Sequence, residues 1–247
     1  MKFRKLFLVI GMSIAVLMLL SAFVLSAPKS EVNESLMLEY PDENCTVVLV
    51  GKDASLDGST MATHTCDCGV CDFTWRHVPA ADHAPGEMRK IYAISQYETW
   101  APEVGPKWEM VYKEKYTGVE IPQVPHTYAY HHAMFGYINE NQVCIGESTF
   151  GGRREMGNPN ATMNLTELTF IAMERAKTAR EAIQIMGDLA TEYGYGLDSG
   201  EMLAVHDPEE IWIFEIMPVG PLWTPDSGEL GAIWCAQRVP DDHVSIC

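Results

Sequence analysis

Residues 45–66 contain two short, strand-like runs, of which the first is apolar and β-branched and the second is mostly polar. The runs at 47–50 and 60–65 are separated by Asp57-Gly58, which is a strong turn signal. This pattern predicts a β-hairpin with a connection of about eight residues. Cys45 stands at the head of its first strand.

The pattern becomes irregular between residues 72 and 125, where Trp, Pro and Gly are frequent and only residues 91–98 have strand-like spacing. We expect a long irregular insertion there, and such loops often carry function. The apolar runs at 127–135 and 142–148 flank Asn139-Glu140-Asn141 and predict a second hairpin.

Helical spacing replaces the strand pattern between Leu165 and Tyr193, where apolar residues recur every three or four positions. Capping boxes at 164–167 and 178–181 divide this stretch into two helices, and Gly194 ends the second. Strand-like runs return at 202–206, 211–217 and 232–239. Strands on both sides of a helix pair predict the α+β class.

The amino-terminal residues are typical of an exported protein. MKFRK precedes an apolar run at 6–25 and Ser26-Ala-Pro-Lys, which predicts a signal peptide over residues 1–26. The apolar run is long for a signal peptide, so a retained membrane anchor is the alternative. Residues 27–44 are polar, acidic and without periodicity, and we interpret them as a leader or propeptide. The folded domain is expected at 45–247, in a secreted or extracytoplasmic protein.

The chain carries a strong negative charge. Its formal net charge is −17, and loss of residues 1–26 would make it more negative because that segment contains Lys2, Arg4 and Lys5 but no acidic residue. Such a chain should repel phosphate backbones and anionic membrane surfaces. Nucleic acid is therefore excluded as an expected partner.

Seven cysteines are present, which leaves at least one outside any set of disulfides. Cys66, Cys68 and Cys71 crowd together two residues after His64. Three interpretations stay open for this cluster: a structural zinc site, a disulfide such as Cys66–Cys71, or thiols that line a substrate cleft. We expect neither a cofactor nor a catalytic metal.

Cys45 is a candidate nucleophile because a cut before it would create a base beside its thiol. A free cysteine has a pKa of about 8.5 and is mostly protonated at pH 7. Cleavage of the Asn44–Cys45 bond would release an α-amino group with a pKa of about 7.7–8.0, able to accept the thiol proton. The alternative is a buried cysteine in a strand.

Several segments of the chain match one known family. The most specific is CTVVLVGKDASLDGSTM from Cys45 to Met61, because the spacing from the cysteine to Asp-Gly-Ser-Thr is long and unbroken. The other matches are Asp67, Val78-Pro-Ala-Ala-Asp-His83, Arg89-Lys-Ile-Tyr92, Gly136-Tyr-Ile-Asn-Glu-Asn141, Gly146-Glu147, residues 174–182 and Glu210-Ile-Trp212. Together they resemble the dipeptidase A and secernin family of N-terminal-nucleophile hydrolases, and more distantly the penicillin V acylases and bile salt hydrolases.

This resemblance implies a four-layer αββα sandwich, autocatalytic removal of the leader, and hydrolysis of small peptides through an acyl-enzyme. It implies that Cys45 is the nucleophile and its α-amino group the base. Asp67 would orient that amine through charge-assisted hydrogen bonds. The backbone N–H of Asn139 would contribute to the oxyanion hole.

Two features depart from the family pattern. Where many relatives have Arg-Asn-Glu-Asp, this chain has His64-Thr-Cys-Asp67, so a titratable side chain replaces a permanent charge. We expect His64 in the wall of the active site; either Arg76 or Arg89 supplies the missing charge, or the thiol is tuned differently.

The second departure is that the chain stops within residues 239–247, before further active-site residues of the family. It is therefore expected to be a truncated sandwich. The alternative to a dipeptidase is an inactive or non-catalytic secreted or membrane-anchored binding fragment with the same fold. The sequence indicates neither the substrate side-chain preference nor the oligomeric state.

Overall fold

The structure is a computed structural model that describes residues 45–66, 75–100, 108–133, 135–196 and 200–247. The predicted signal peptide and leader lie outside the described residues. Asp67, Cys68 and Cys71 also lie outside them. In the described part of the chain, no helix is both long and apolar enough to cross a membrane.

The predicted first hairpin is confirmed. Strand β1 (Cys45–Val50) pairs antiparallel with β2 (Met61–Cys66), and the 3-10 turn Lys52–Ala54 lies in their connection. The other edge of β1 pairs with β14 (Val244–Ile246), a strand that the sequence pattern did not predict. Three residues are too few to give a recognisable alternation of apolar and polar positions.

A larger antiparallel sheet contains seven strands in the order β13-β12-β11-β10-β9-β8-β3. Its strands are β3 (Arg76–Val78), β8 (Tyr130–His132), β9 (Gly136–Asn139), β10 (Cys144–Phe150), β11 (Gly200–His206), β12 (Ile211–Pro218) and β13 (Ala232–Val239). The strands predicted near the second hairpin and after the helices are thus confirmed, although the first arm of the hairpin is divided into β8 and β9.

The expected irregular insertion contains regular structure. Strands β5 (Met88–Trp100) and β6 (Trp108–Pro122) form a long antiparallel ribbon, and the short strands β4 (Ala81–Asp82) and β7 (His126–Thr127) pair with each other. The prediction of an irregular segment was therefore wrong. Residues 112–120 of β6 are mostly charged or polar and include three consecutive charged residues at 113–115, so they lack the apolar period that identifies a half-buried strand.

Both predicted helices are present, as α1 (Leu165–Arg175) and α2 (Ala179–Tyr193). The side chains of Asn164 and Thr178 accept hydrogen bonds from the N–H groups of Glu167 and Glu181, which is the N-cap half of a capping box. The glutamate side chains accept instead from the N–H groups of Tyr92 and Lys177. Gly194 follows α2 with φ 77°, a conformation that glycine adopts at low cost. The 3-10 turn Arg154–Met156 precedes the helices.

Two apolar cores lie on opposite faces of the large sheet. In β11, Leu203 and Val205 belong to the core formed with the helices, whereas Met202 and Ala204 belong to the core formed with β1. Strands β1 and β2 also contact β10. The α+β class is thus confirmed, and the described residues include helices on one face of this stack. The four-layer αββα arrangement stays a prediction.

Candidate active site

Cys45 and Cys66 lie directly opposite each other on β1 and β2. On the other side of β1, Val47 and Cys247 exchange backbone hydrogen bonds of 2.8 and 2.9 Å, so the polar backbone groups of Val47 point toward β14. Backbone N–H and C=O groups of residues two apart point to the same side of a strand. Those of Cys45 therefore also point away from β2. Cys45 and Cys66 therefore form a non-hydrogen-bonded pair, the kind in which Cα atoms approach to about 4.5 Å.

A buried carboxylate completes this group. Glu147 on β10 has 2% of its surface exposed, and Cys45 Sγ lies 4.0 Å from Glu147 Oε2 as a hydrogen-bond donor. Ligand atoms of Cys45, Cys66 and Glu147 all lie within 4.8 Å of one another. Three strands that are distant in sequence thus bring two thiols and a carboxyl group together.

Glu147 belongs to a buried pair of carboxyl groups. Thr149 Oγ1 lies 2.8 Å from Glu147 Oε1 and 3.0 Å from Glu201 Oε2. Burial raises the pKa of Glu201 to about 9, and the hydrogen bond and charge of Glu147 add to this effect. Glu201 is therefore neutral at pH 7. The buried Tyr195 hydroxyl is in the same neighbourhood: burial, with the charges of Glu201 and Glu147, raises its pKa well above 10.

His64 on β2 contacts the same segment of β10 through the main chain. The N–H of Glu147 donates a 2.7 Å hydrogen bond to His64 Nδ1, which fixes the tautomer with its proton on Nε2. His64 Nε2 is buried and has no hydrogen-bond partner in the described part of the chain. Burial lowers the pKa of His64, partly offset by the charge of Glu147. The ring is thus neutral at pH 7 and lies beside Phe135 and Tyr137.

The structure shows where one of the two arginines proposed from the sequence binds. Arg89 makes hydrogen bonds of 2.7 and 2.9 Å to Glu174 and also pairs with Glu167, so it is committed to α1. The idea that Arg89 charges the active site is therefore wrong. Arg76 lies on β3, in register with His132.

Asn139 is the last residue of β9, directly before the turn to β10. Its side-chain amide donates to the carbonyl groups of Met173 and Ala176 at 3.0 and 2.8 Å, and its carboxamide oxygen accepts from the N–H groups of Asn141 and Val143. Its own N–H donates to the carbonyl of Val143 at 3.0 Å. The oxyanion role of Asn139 stays a prediction, and the structure gives its N–H another acceptor.

The structure brings Cys45 and His64 together around Glu147, whereas Asn139 binds the end of α1 and Asp67 is outside the described residues. Sequence reasoning gave no role to Glu147 or Glu201. Gly146-Glu147 appeared only as a family match, and nothing in the sequence pairs it with a residue of β11. Cys66 lies opposite Cys45 because Val50 pairs with Met61, one residue after the predicted start of the second strand.

Residues 44–247 match the model of peptidase family C69. The match covers most of the chain, which therefore belongs to this family. Its first residue directly precedes Cys45, so the part shared with the family includes the whole described structure.

The chain is also similar to curated bacterial proteins. It is 26% identical over 217 residues to a probable dipeptidase of Latilactobacillus sakei, a match that includes 82% of this chain and 38% of the relative. It is 26% identical over 212 residues to the probable dipeptidase A of Streptococcus pyogenes serotype M1, a match that includes 81% of this chain and 38% of the relative. It is 28% identical over 219 residues to the dipeptidase of Bifidobacterium longum, a match that includes 80% of this chain and 36% of the relative. The chain thus spans less than two fifths of the length of these relatives.

Proposed function

We propose that the chain is a cysteine-type dipeptidase whose nucleophile is Cys45, exposed as a new amino terminus when the leader is cut after Asn44. The observation that carries this proposal is the position of Cys45. It begins the strand at which the family match begins, and its thiol faces the buried carboxylate of Glu147. The names of the relatives supply the substrate class, a dipeptide.

The proposed reaction starts with transfer of the Cys45 thiol proton to the α-amino group released by cleavage. The thiolate then attacks the peptide carbonyl, and the tetrahedral intermediate collapses to a thioester as the ammonium returns its proton to the leaving amine. Water, deprotonated by the same amine, cleaves the thioester and restores the thiol. One residue thus supplies the nucleophile and the general base.

Glu147 is proposed as a positioning residue for this reaction. Its carboxylate accepts a hydrogen bond from Sγ of Cys45, the residue whose α-amine would be released by cleavage. An ammonium group is a strong hydrogen-bond donor to a carboxylate. Thr149 holds its other oxygen. Glu147 is therefore suited to share with Asp67 the task of orienting the amine.

Export is part of the same proposal. The basic residues and apolar run at 1–25 favour translocation, and cutting after Asn44 would release the domain whether or not residues 6–25 remain in a membrane. The enzyme would then work outside the cytoplasm.

Amino-terminal sequencing and intact mass of the expressed full-length chain test the maturation step, and hydrolysis of a dipeptide panel tests the activity. We expect a mature chain that begins at Cys45. Cys45→Ala should leave the leader attached and reduce dipeptide hydrolysis by at least about 1,000-fold, because it removes both the nucleophile and the site of the released base.

Cys235→Ser is the matched control, because Cys235 is an exposed thiol on β13. It should mature and hydrolyse dipeptides like the unaltered chain. A Cys45→Ala chain that still hydrolyses dipeptides would rule out Cys45 as nucleophile. A mature chain beginning elsewhere would rule out the proposed base.

A further inference from the structure

The two thiols and one carboxylate described above are also a set of metal ligands. Cys45 and Cys66 face each other across β1 and β2, and Glu147 reaches them from β10. All three ligand atoms lie within 4.8 Å of one another, and Cys45 Sγ is 4.0 Å from Glu147 Oε2. In a tetrahedral zinc site, two such donors are about 3.5–3.8 Å apart, given Zn–S and Zn–O distances of about 2.3 and 2.0 Å.

We propose that Cys45, Cys66 and Glu147 bind a divalent metal ion of the zinc class, and that this binding reversibly blocks the nucleophile. Binding requires the donor atoms to move from separations of up to 4.8 Å to about 3.5–3.8 Å. Thiolates and a carboxylate are donors that zinc accepts, and binding releases the protons of both thiols. The fourth ligand would be water or the α-amine of mature Cys45.

The surroundings of Glu147 support this site in a second, independent way. Thr149 lies 2.8 Å from Oε1, which leaves Oε2 facing the thiols. Ligating carboxylates in metal sites are oriented in this manner by a hydrogen bond from an outer partner. Glu201 extends the chain of contacts through Thr149 at 3.0 Å.

A metal ion bound to Cys45 Sγ shares the thiolate electron pair that would otherwise attack the substrate. This inhibitory consequence rests on the proposed function, whereas metal binding itself does not. Cys66 acts in this mechanism as the residue that makes the nucleophile sensitive to metal, with no part in hydrolysis.

Cobalt(II) titration of the reduced, metal-free mature protein tests binding directly, because cobalt bound to thiolates gives a charge-transfer absorption. We expect one equivalent to bind and zinc(II) to displace it. Cys66→Ser and Glu147→Gln should weaken binding at least about tenfold and change the absorption, since each removes a ligand. Cys235→Ser should bind cobalt unchanged.

Hydrolysis supplies the second measurement. Zinc should inhibit the unaltered enzyme and a chelator should restore its activity. The zinc concentration that halves the activity should be at least about tenfold higher for Cys66→Ser than for the unaltered enzyme, each measured against its own activity without zinc. Cys66→Ala replaces Cys66→Ser if the latter does not fold, as judged by circular dichroism. Equal zinc affinity in both chains would overturn the proposal. So would a disulfide between Cys45 and Cys66 that persists under the reducing conditions, detected by intact mass.

The two proposals fail in different ways. A cobalt complex that depends on Cys66 in a protein without dipeptidase activity would keep the metal site and reject the proposed function. An active dipeptidase that depends on Cys45 but gives no cobalt complex would do the reverse.

Discussion

The main-chain N–H of Glu147 donates its hydrogen bond to Nδ1 of His64, at 2.7 Å. This bond joins β2 of the first hairpin to β10 of the large sheet, beside Cys45. Strands β2 and β10 approach closely at Gly146, where an added Cβ atom would lie 3.3 Å from Cβ of His64. A histidine at this position thus acts as a hydrogen-bond acceptor for the main chain rather than as a charge.

Replacing His64 by leucine should destabilise the fold by about 1–3 kcal/mol, because the buried N–H of Glu147 loses its acceptor. His64→Asn, which keeps an acceptor atom on a short side chain, should recover part of this loss. Urea unfolding of the two variants measures the difference in the free energy of unfolding.

The exposed His243 provides the control, and His243→Leu should have little effect. If His64→Leu and His64→Asn are equally stable, the hydrogen bond to the main chain of β10 contributes nothing to stability, and packing of the ring against Phe135 and Tyr137 would be the role of His64.

Gly51 links β1 to the segment before β14, and an alanine there should destabilise the domain by about 1–3 kcal/mol through forced backbone movement. A Cβ atom would lie 2.5 Å from the carbonyl oxygen of Pro240 and 2.4 Å from that of Asp241. The latter oxygen accepts hydrogen bonds from the N–H groups of Asp53 and Ala54.

Thermal unfolding measures this effect, with Gly151→Ala as the matched control because its added methyl group meets nothing within 4 Å. Equal melting temperatures for the two variants would contradict the close contact between Gly51 and residues 240–241.

The sequence predicted the elements whose signals are local. Capping boxes at Asn164 and Thr178 marked the helix starts, and the Asp57-Gly58 turn placed the first hairpin. The ribbon of β5 and β6 was missed because its strands pair with each other and carry polar residues at many positions. Strand β14 was missed because its partner, β1, lies far away in sequence.

The same distinction applies to the candidate site. Cys45 was identified from the family signature. Its pairing with Cys66 was not predicted, because it depends on the register in which Val50 lies opposite Met61. The pair of Glu147 and Glu201 could not be found, because it depends on the antiparallel register that puts Thr149 opposite Glu201. Long-range register is set by packing of whole strands, which no local pattern records.

Arg89 fixes the ribbon to α1 through two acidic residues, and Arg89→Met should destabilise the domain by about 3–5 kcal/mol. The guanidinium group contacts Glu174 at 2.7 and 2.9 Å and also pairs with Glu167, which is 1% exposed. Removal of the arginine would leave a buried carboxylate without its partner, which is the costly way to break such a pair.

Urea unfolding again provides the measurement. Arg180→Met breaks an ion pair with Glu210 in which the arginine is largely exposed, and it should change stability little. A similar small loss for Arg89→Met would mean that Glu167 is neutral or solvated once the arginine is removed.

His206 should make stability depend on pH below about 6.5. Thr60 Oγ1 donates to the carbonyl of Asp207 at 2.6 Å, so its 3.2 Å contact with His206 requires the Nδ1 proton of the ring as donor. Burial lowers the pKa of His206, and the charge of Asp207 offsets this only in part. Between the ordinary pKa and the lowered one, the unfolded chain binds a proton that the folded chain does not.

The free energy of unfolding should therefore fall as pH decreases through this window, by at most about 1.4 kcal/mol per pH unit from this group. His206→Gln removes the titrating group while keeping a side chain able to contact Thr60, so its stability should decline less between pH 7 and pH 5. Urea unfolding at several pH values compares the two slopes, with His243→Gln as a surface control. Identical slopes for the unaltered chain and His206→Gln would mean that the folded protein binds a proton at His206 as readily as the unfolded chain does.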